Sequence, residues 1–273
     1  MKKKITHGVI YAVLLVLLII CIFPFYIMII NSTHTTNELY VSLQLLPGLN
    51  FIENFRNLIK RVDIARGFLN SFLVAGSSTI LSIYFGTMTA FGLYEYKFKL
   101  RKVVFTVLTM SMMIPGQLGI IGLFRLCRNL GMLDTYWPLI LPSIANASTI
   151  FFVYQYLESS LDDSLLESAR IDGSGEWLIF HRLVLPLARP GISTMIIFNF
   201  VSYWNNFFTP MIILFSEEKF TVPLLMNNVN SGMLQDLGAK YAAIAVSIVP
   251  IIVVYCFVSK YITQGMMAGA VKG

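Results

Sequence analysis

Charge is scarce in this 273-residue chain: Asp, Glu, Lys and Arg together make up 12%, about half the share of a soluble domain. A Walker A loop, G-x-x-x-x-G-K-[ST], is missing too, so this chain has no such loop to cradle ATP phosphates. Three His (His7, His34, His181) and three Cys (Cys21, Cys127, Cys256) lie scattered, without metal-ligand spacing. The cysteines therefore read as small hydrophobes. No Asp, Glu or His sits at the centre of a long apolar run, which argues against a polytopic membrane enzyme. An ion-coupled secondary transporter is disfavoured on the same ground and by the lack of an inverted repeat. Nothing in these residues resembles catalysis.

What remains is apolar: 56% of residues are hydrophobic and the mean hydropathy is +0.73. Six uncharged runs, Val9–Ile30, Gly67–Tyr94, Val103–Phe124, Thr135–Leu157, Pro190–Ser216 and Tyr241–Ser259, approach or exceed the roughly 20 residues a helix needs to cross about 30 Å of hydrocarbon. Barrel strands would alternate in polarity, and these runs do not. The expectation is an all-α integral membrane protein with six transmembrane helices, residues 1–273 forming a single domain. The first run follows a basic start (Lys2, Lys3, Lys4), yet it is longer than the roughly 7–15 residues of a signal-peptide core and no small-x-small site follows it. It reads as a retained helix. Six crossings put both termini on one side, and twelve of the twenty Lys and Arg fall there, including Lys97, Lys99, Arg101, Lys102, Arg170, Arg182 and Arg189. That side is cytoplasmic. The net charge of +6 suits an anionic inner leaflet and requires no nucleic acid.

Within this frame a few stretches stand out. In the outer loop 31–66, Phe51, Phe55, Leu58 and Ile59 recur at helical spacing and predict an amphipathic interfacial helix. The second run carries Gly76, Ser77, Ser78, Gly86, Thr87, Thr89, Ala90 and Gly92, small residues that allow close helix packing. Pro115, in MMIPGQ, predicts a kink in the third run, either a pathway-lining hinge or a packing feature. The fifth run holds FNFVSYWNNFFTP, where Asn199, Ser202, Tyr203, Trp204, Asn205 and Asn206 sit well inside the apolar stretch and are expected to face the bundle or an aqueous path. Amides beside aromatic rings suit sugars. The alternative, expected of at least one of the two amides, is an asparagine pairing between helices.

The most polar interior stretch is ESARIDGSGEWLIFHRLVLP (Glu167–Pro186). Upstream, Leu157, Leu161, Leu165 and Ala169 predict an amphipathic helix outside the membrane. Gly173 and Gly175 permit a sharp corner, and Pro186 stops a second short helix. Two helices around a glycine corner make a compact cytoplasmic knob over about 158–189. Glu167, Arg170 and Asp172 offer it charge, Ile171 and Trp177 apolar contact. A docking element is expected, with a solvated linker as the alternative.

This segment resembles the EAA loop of permease subunits in ATP-binding-cassette importers, E-A-A-x-x-D-G-A followed about a dozen residues on by x-L-P. Here it reads Glu167-Ser168-Ala169, Asp172-Gly173-Ser174 and Leu185-Pro186, serine replacing alanine twice. MIPGQ (Met113–Gln117), LGMLDTYWPLILP (Leu130–Pro142), Asn70-Ser71, Trp204-Asn205 and the tail GMMAGAVKG (Gly265–Gly273) resemble the carbohydrate branch, maltose-type and MalG-like.

The resemblance implies a type I importer permease in the cytoplasmic membrane of a prokaryote. It would pair with a second permease, two ATP-binding subunits and an extracellular solute-binding protein. ATP and Mg would be bound by the partner ATPase, and none by this chain. Glu167, Ala169, Asp172, Gly173, Leu185 and Pro186 would form the coupling helix. Gly269, Lys272 and Gly273 would reach the ATPase interface, and the outer loop Glu217–Lys240 would face the binding protein. Pro115, Tyr203, Trp204 and Asn205 are the pathway candidates. Asn206 stands where the family often has an acid. By the resemblance the expected cargo is a carbohydrate of the oligosaccharide class, with a phosphorylated polyol or other solute as the alternative.

Overall fold

A computed structural model describes the backbone of residues 2–231 and 236–270, and the side-chain environment of residues 7–227 and 236–259. Among the described residues every regular element is helical. Four helical spans, His7–Asn31, Ile64–Glu95, Trp137–Ser160 and Leu237–Ser259, are long and apolar enough to cross a bilayer. Two further pairs of bent helices bring the number to six where each pair counts as one span. Contacts group the chain into two compact units, Met1–Ile64 with Leu225–Val249, and Ala65–Leu224 with Pro250–Gly273.

The first unit opens with α1 (Lys2–Asn31), whose apolar side chains are almost all left exposed. α2 (Thr36–Val41) starts with a capping box: Thr35 accepts from the Glu38 N–H, and the Glu38 carboxylate accepts from the Thr35 N–H. α3 (Phe51–Arg61) is the expected amphipathic helix, but its inward face differs. Leu58 and Asn54 are buried, Ile59 is exposed, and Phe51 stacks on Phe55. The reason is polar. The Asn54 amide donates to the carbonyls of Ser32 and His34, 2.8 Å each, which lie just past the end of α1 and lack helical partners.

The second unit is organised around α4 (Ile64–Glu95), which begins before Gly67, the first residue of the second apolar run. α5 (Arg101–Ser111) breaks near Pro115, and a short 3₁₀ turn (Gly116–Gly119) leads into α6 (Ile120–Asn129). The two halves bend by 95°, so the predicted kink is a full break. The next span is assembled from α7 (Trp137–Ile140), a 3₁₀ turn and α8 (Ala147–Ser160), the last capped by the Asn146 side chain on the Thr149 N–H. Then come α9 (Asp163–Ile171) and a rod over Glu176–Leu187, made of α10 (Glu176–Ile179), a π turn and α11 (Leu185–Leu187). The rod bends 77° into α12 (Arg189–Trp204). α13 (Phe208–Ile213), α14 (Val222–Ser231) and α15 (Leu237–Ala270) follow, and the last two each contribute residues to both units.

The fifth run is therefore not one helix. Asn205 is the C-cap residue of α12, and Asn206, just ahead of α13, accepts from the Thr209 N–H at 3.3 Å. Asparagine is a good end-capper, and two in succession favour a break over an interior amide. Core packing joins Ala90, Phe91 and Leu93 of α4 to Ile150, Val153 and Leu157 of α8 and to Phe180, Val184 and Met195. Two glycines bring helices together: a Cβ on Gly86 would lie 2.7 Å from Thr149 Cγ2, and one on Gly191 would lie 2.7 Å from the Tyr156 ring. Gly76 and Gly92 meet nothing within 4 Å and serve no such contact.

Candidate coupling site

The segment 161–187 forms the expected knob, with one shift of register. α8 ends at Ser160, Leu161 is extended, and Asp162 caps α9 through the Ser164 N–H at 3.0 Å. The break rotates the new helix, so Leu166 is buried and Leu165 exposed, where an unbroken helix would have put Leu165 inside. At its far end the Ser174 N–H donates to the Ala169 carbonyl and the Gly173 N–H to the Arg170 carbonyl, both 3.0 Å. With Gly173 at φ +82° this is a Schellman corner, which a Cβ would strain.

The outward face carries Glu167, Asp172 and Gly173, together with Ile171 (86% exposed) and Trp177 (66%). Ala169, Leu185 and Pro186 are half-buried beneath it. An exposed Ile and Trp flanked by carboxylates are poor in water and good in an interface.

Arg170 does not join that face. Its guanidinium donates to Glu95 Oε1 at 2.6 Å and to both oxygens of Glu176, at 2.8 and 3.2 Å. The Tyr96 hydroxyl closes the set on Glu176 Oε2 at 2.6 Å, and Tyr94 donates to Asp163 Oδ1 at 2.6 Å. Arg170, then Tyr96, hold the Glu176 carboxyl below its ordinary range. Burial, then the bond to Glu176, pushes the Tyr96 phenol up to about 12. The knob is thus braced at both helices by the end of α4. Sequence reasoning missed Tyr94, Glu95 and Tyr96; their signal was a polar, aromatic end on an otherwise apolar run.

Over residues 82–268, more than half of the chain, the sequence matches the family described as binding-protein-dependent transport system inner membrane component. The chain belongs to this family. It is a multi-pass inner membrane permease of the ATP-binding-cassette importer class, with the type I importer fold. Similar proteins include the arabinooligosaccharides transport system permease protein AraQ of Bacillus subtilis, 32% identical over 95% of this chain and 93% of that protein. The diacetylchitobiose uptake system permease protein NgcG of Streptomyces coelicolor is 34% identical over 96% and 88%. In fold the chain resembles a crystal structure of a bacterial ABC transporter involved in the import of the acidic polysaccharide alginate. That match has a TM-score of 0.83 and 23% identity, and covers 96% of this chain and 98% of the other.

The permease also holds a polar network within its second unit. Asn199 of α12, 4% exposed, donates to Thr149 Oγ1 at 2.8 Å and Ser82 Oγ at 3.1 Å. Asn146 accepts from Thr149 and donates to the Tyr203 hydroxyl at 2.8 Å. Asn199 therefore joins helices, which was the alternative weighed for these amides. Among the pathway candidates, Pro115 and Asn205 are exposed and Tyr203 half-buried. Trp204 is 2% exposed, packed against Phe68, Phe72 and Phe200.

On the permease's outer side, Asp134 ties two loops together. It takes φ +56° and accepts from the Phe215 and Ser216 N–H groups, the Ser216 hydroxyl and Lys219 Nζ, at 2.6–3.0 Å. Lys219 foremost, then these bonds, hold its carboxyl well below the usual range. Asn70 donates to the Glu218 and Phe220 carbonyls, and Ser71 accepts from the Val222 N–H. Asn70-Ser71 thus fixes the start of the outer segment Glu217–Lys240, within which residues 232–235 lie outside the described residues. At the C-terminus Gly269 is helical in α15, while Lys272 and Gly273 lie outside the described residues.

Proposed function

We propose that this permease forms half of a membrane pore for an oligosaccharide and that a partner ATPase drives it. A second permease completes the pore, two ATP-binding subunits hold ATP and Mg, and an extracellular binding protein delivers the sugar. The observation that carries the coupling reading is the knob: a glycine corner presents Glu167, Asp172, Ile171 and Trp177 outward while Arg170, Glu176 and Asp163 tie it to α4. ATP-driven closure of the ATPase pair acts through such a contact only if docking differs between inward- and outward-open states. Oligosaccharide cargo is supported by the names of AraQ and NgcG and by the amide and aromatic side chains near the α12 break. The tail around Gly269, Lys272 and Gly273 is proposed to reach the ATPase interface.

The test is co-purification in mild detergent from native membranes, followed by uptake in proteoliposomes. An ATPase and a second permease should accompany the wild type, and Gly173→Pro should lose the ATPase alone. ATP should drive uptake of a labelled neutral oligosaccharide. Retention of the ATPase by Gly173→Pro refutes the docking surface. Uptake of a phosphorylated polyol in place of the oligosaccharide refutes the cargo.

A further inference from the structure

Between the cytoplasmic ends of three helices lies a pocket of about 270 Å³, lined by Leu93 of α4, Arg101, Lys102 and Phe105 of α5, and Tyr154 of α8. Its walls are a leucine and two aromatic rings, Phe105 and Tyr154 packing at 4.7 Å between centroids. Its rim is cationic. Arg101 donates to the Tyr154 hydroxyl at 3.2 Å, a bond that leaves most of its donors free. Among the described residues neither Arg101 nor Lys102 pairs with a carboxylate, and Lys97 and Lys99, both exposed, lie just upstream. The first turn of α5 has no acidic residue, and no side chain caps it. Further along, α5 leaves Val103, Val104 and Val107 exposed, a flank suited to hydrocarbon.

The geometry points to an anionic phospholipid site: its phosphate is held by Arg101 and Lys102 at the mouth, and an acyl chain lies against Leu93 and Phe105. A basic pocket between helix ends on the cytoplasmic side matches the charge of that leaflet. The apolar walls and the bare flank of α5 favour lipid over free phosphate, which needs polar groups all round. Here the pocket offers two cations and one hydroxyl. The site lies beside the YEY brace of the knob, since Leu93 immediately precedes Tyr94, and it does not depend on which sugar is carried.

The experiment is native mass spectrometry of the intact transporter, purified through this chain from nanodiscs of mixed phosphatidylglycerol and phosphatidylcholine. The wild type should retain phosphatidylglycerol selectively. The Arg101→Gln/Lys102→Gln double variant should lose one such lipid per chain, with retention weakened about 30-fold. The charge-conserving pair Arg101→Lys/Lys102→Arg should keep it, which separates lost charge from lost fold. Excess inorganic phosphate should leave the lipid bound. Equal retention of both lipids by the wild type overturns the proposal, as does an unchanged count in the Gln pair or loss in the charge-conserving pair. Displacement of the lipid by inorganic phosphate also overturns it, since the anion alone would then fill the site.

Discussion

Replacing Arg170 with Gln should loosen the knob without touching its docking face. The guanidinium makes three charge-assisted bonds to two carboxylates, and Glu95 is only 16% exposed. A hydrogen bond to a charged group contributes about 1.5–3 kcal/mol, while an exposed ion pair contributes about 0.2–1. Arg170 is 33% exposed and the Glu176 arm more open still, so the sum is discounted to about 2 kcal/mol, most of it from the Glu95 arm. That corresponds to roughly thirtyfold more frequent opening. Hydrogen exchange of the Asp172, Gly173 and Ser174 amides, measured on the whole transporter in nanodiscs, reads it directly, because each donates into the helix end. Arg170→Lys should recover less than half, since one ammonium cannot reproduce the fork. Glu167→Gln, on the exposed face, should leave exchange unchanged while weakening ATPase retention. Unaltered exchange in Arg170→Gln, or an equal rise in Glu167→Gln, would refute the brace.

Gly173→Ala should destabilise the corner by about 1–2 kcal/mol through its φ of +82°, read as faster exchange at Ser174. Gly86→Ala should lower the thermal stability of the purified transporter by about 1–3 kcal/mol, because its Cβ would meet Thr149, whereas Gly92→Ala should stay within about 0.5. Asp134 has a folded-state pKa below its unfolded value, so its stabilisation is complete above the ordinary carboxylate range of about 3.9. It is lost as pH falls from there through the lowered folded value. Limited proteolysis of the outer loops should therefore accelerate below about pH 4 in the wild type, and a flat response equal to that of Asp134→Asn would contradict this.

The membrane class was legible in composition, because six apolar runs long enough to cross hydrocarbon as helix leave few other folds. The knob's corner was legible in local chemistry as well, because Gly173 can take the positive φ the turn requires; Pro186, read as a stop, instead lies inside the rod, which runs on to Leu187. Helix interruptions were half-legible. Pro115 announced a break but not its 95° angle, and Asn205-Asn206 read as amides inside one helix when they sit in the break between α12 and α13. Tertiary packing decided the rest. Local pattern could not tell that Leu166, not Leu165, turns inward, because one extended residue at Leu161 resets the helical phase. Nor could it assign Arg170, whose partners are Glu176, six residues away, and Glu95, seventy-five residues away. Charge patterning predicts that a charge is present, and only the fold determines whether it faces a partner protein or a carboxylate of its own chain.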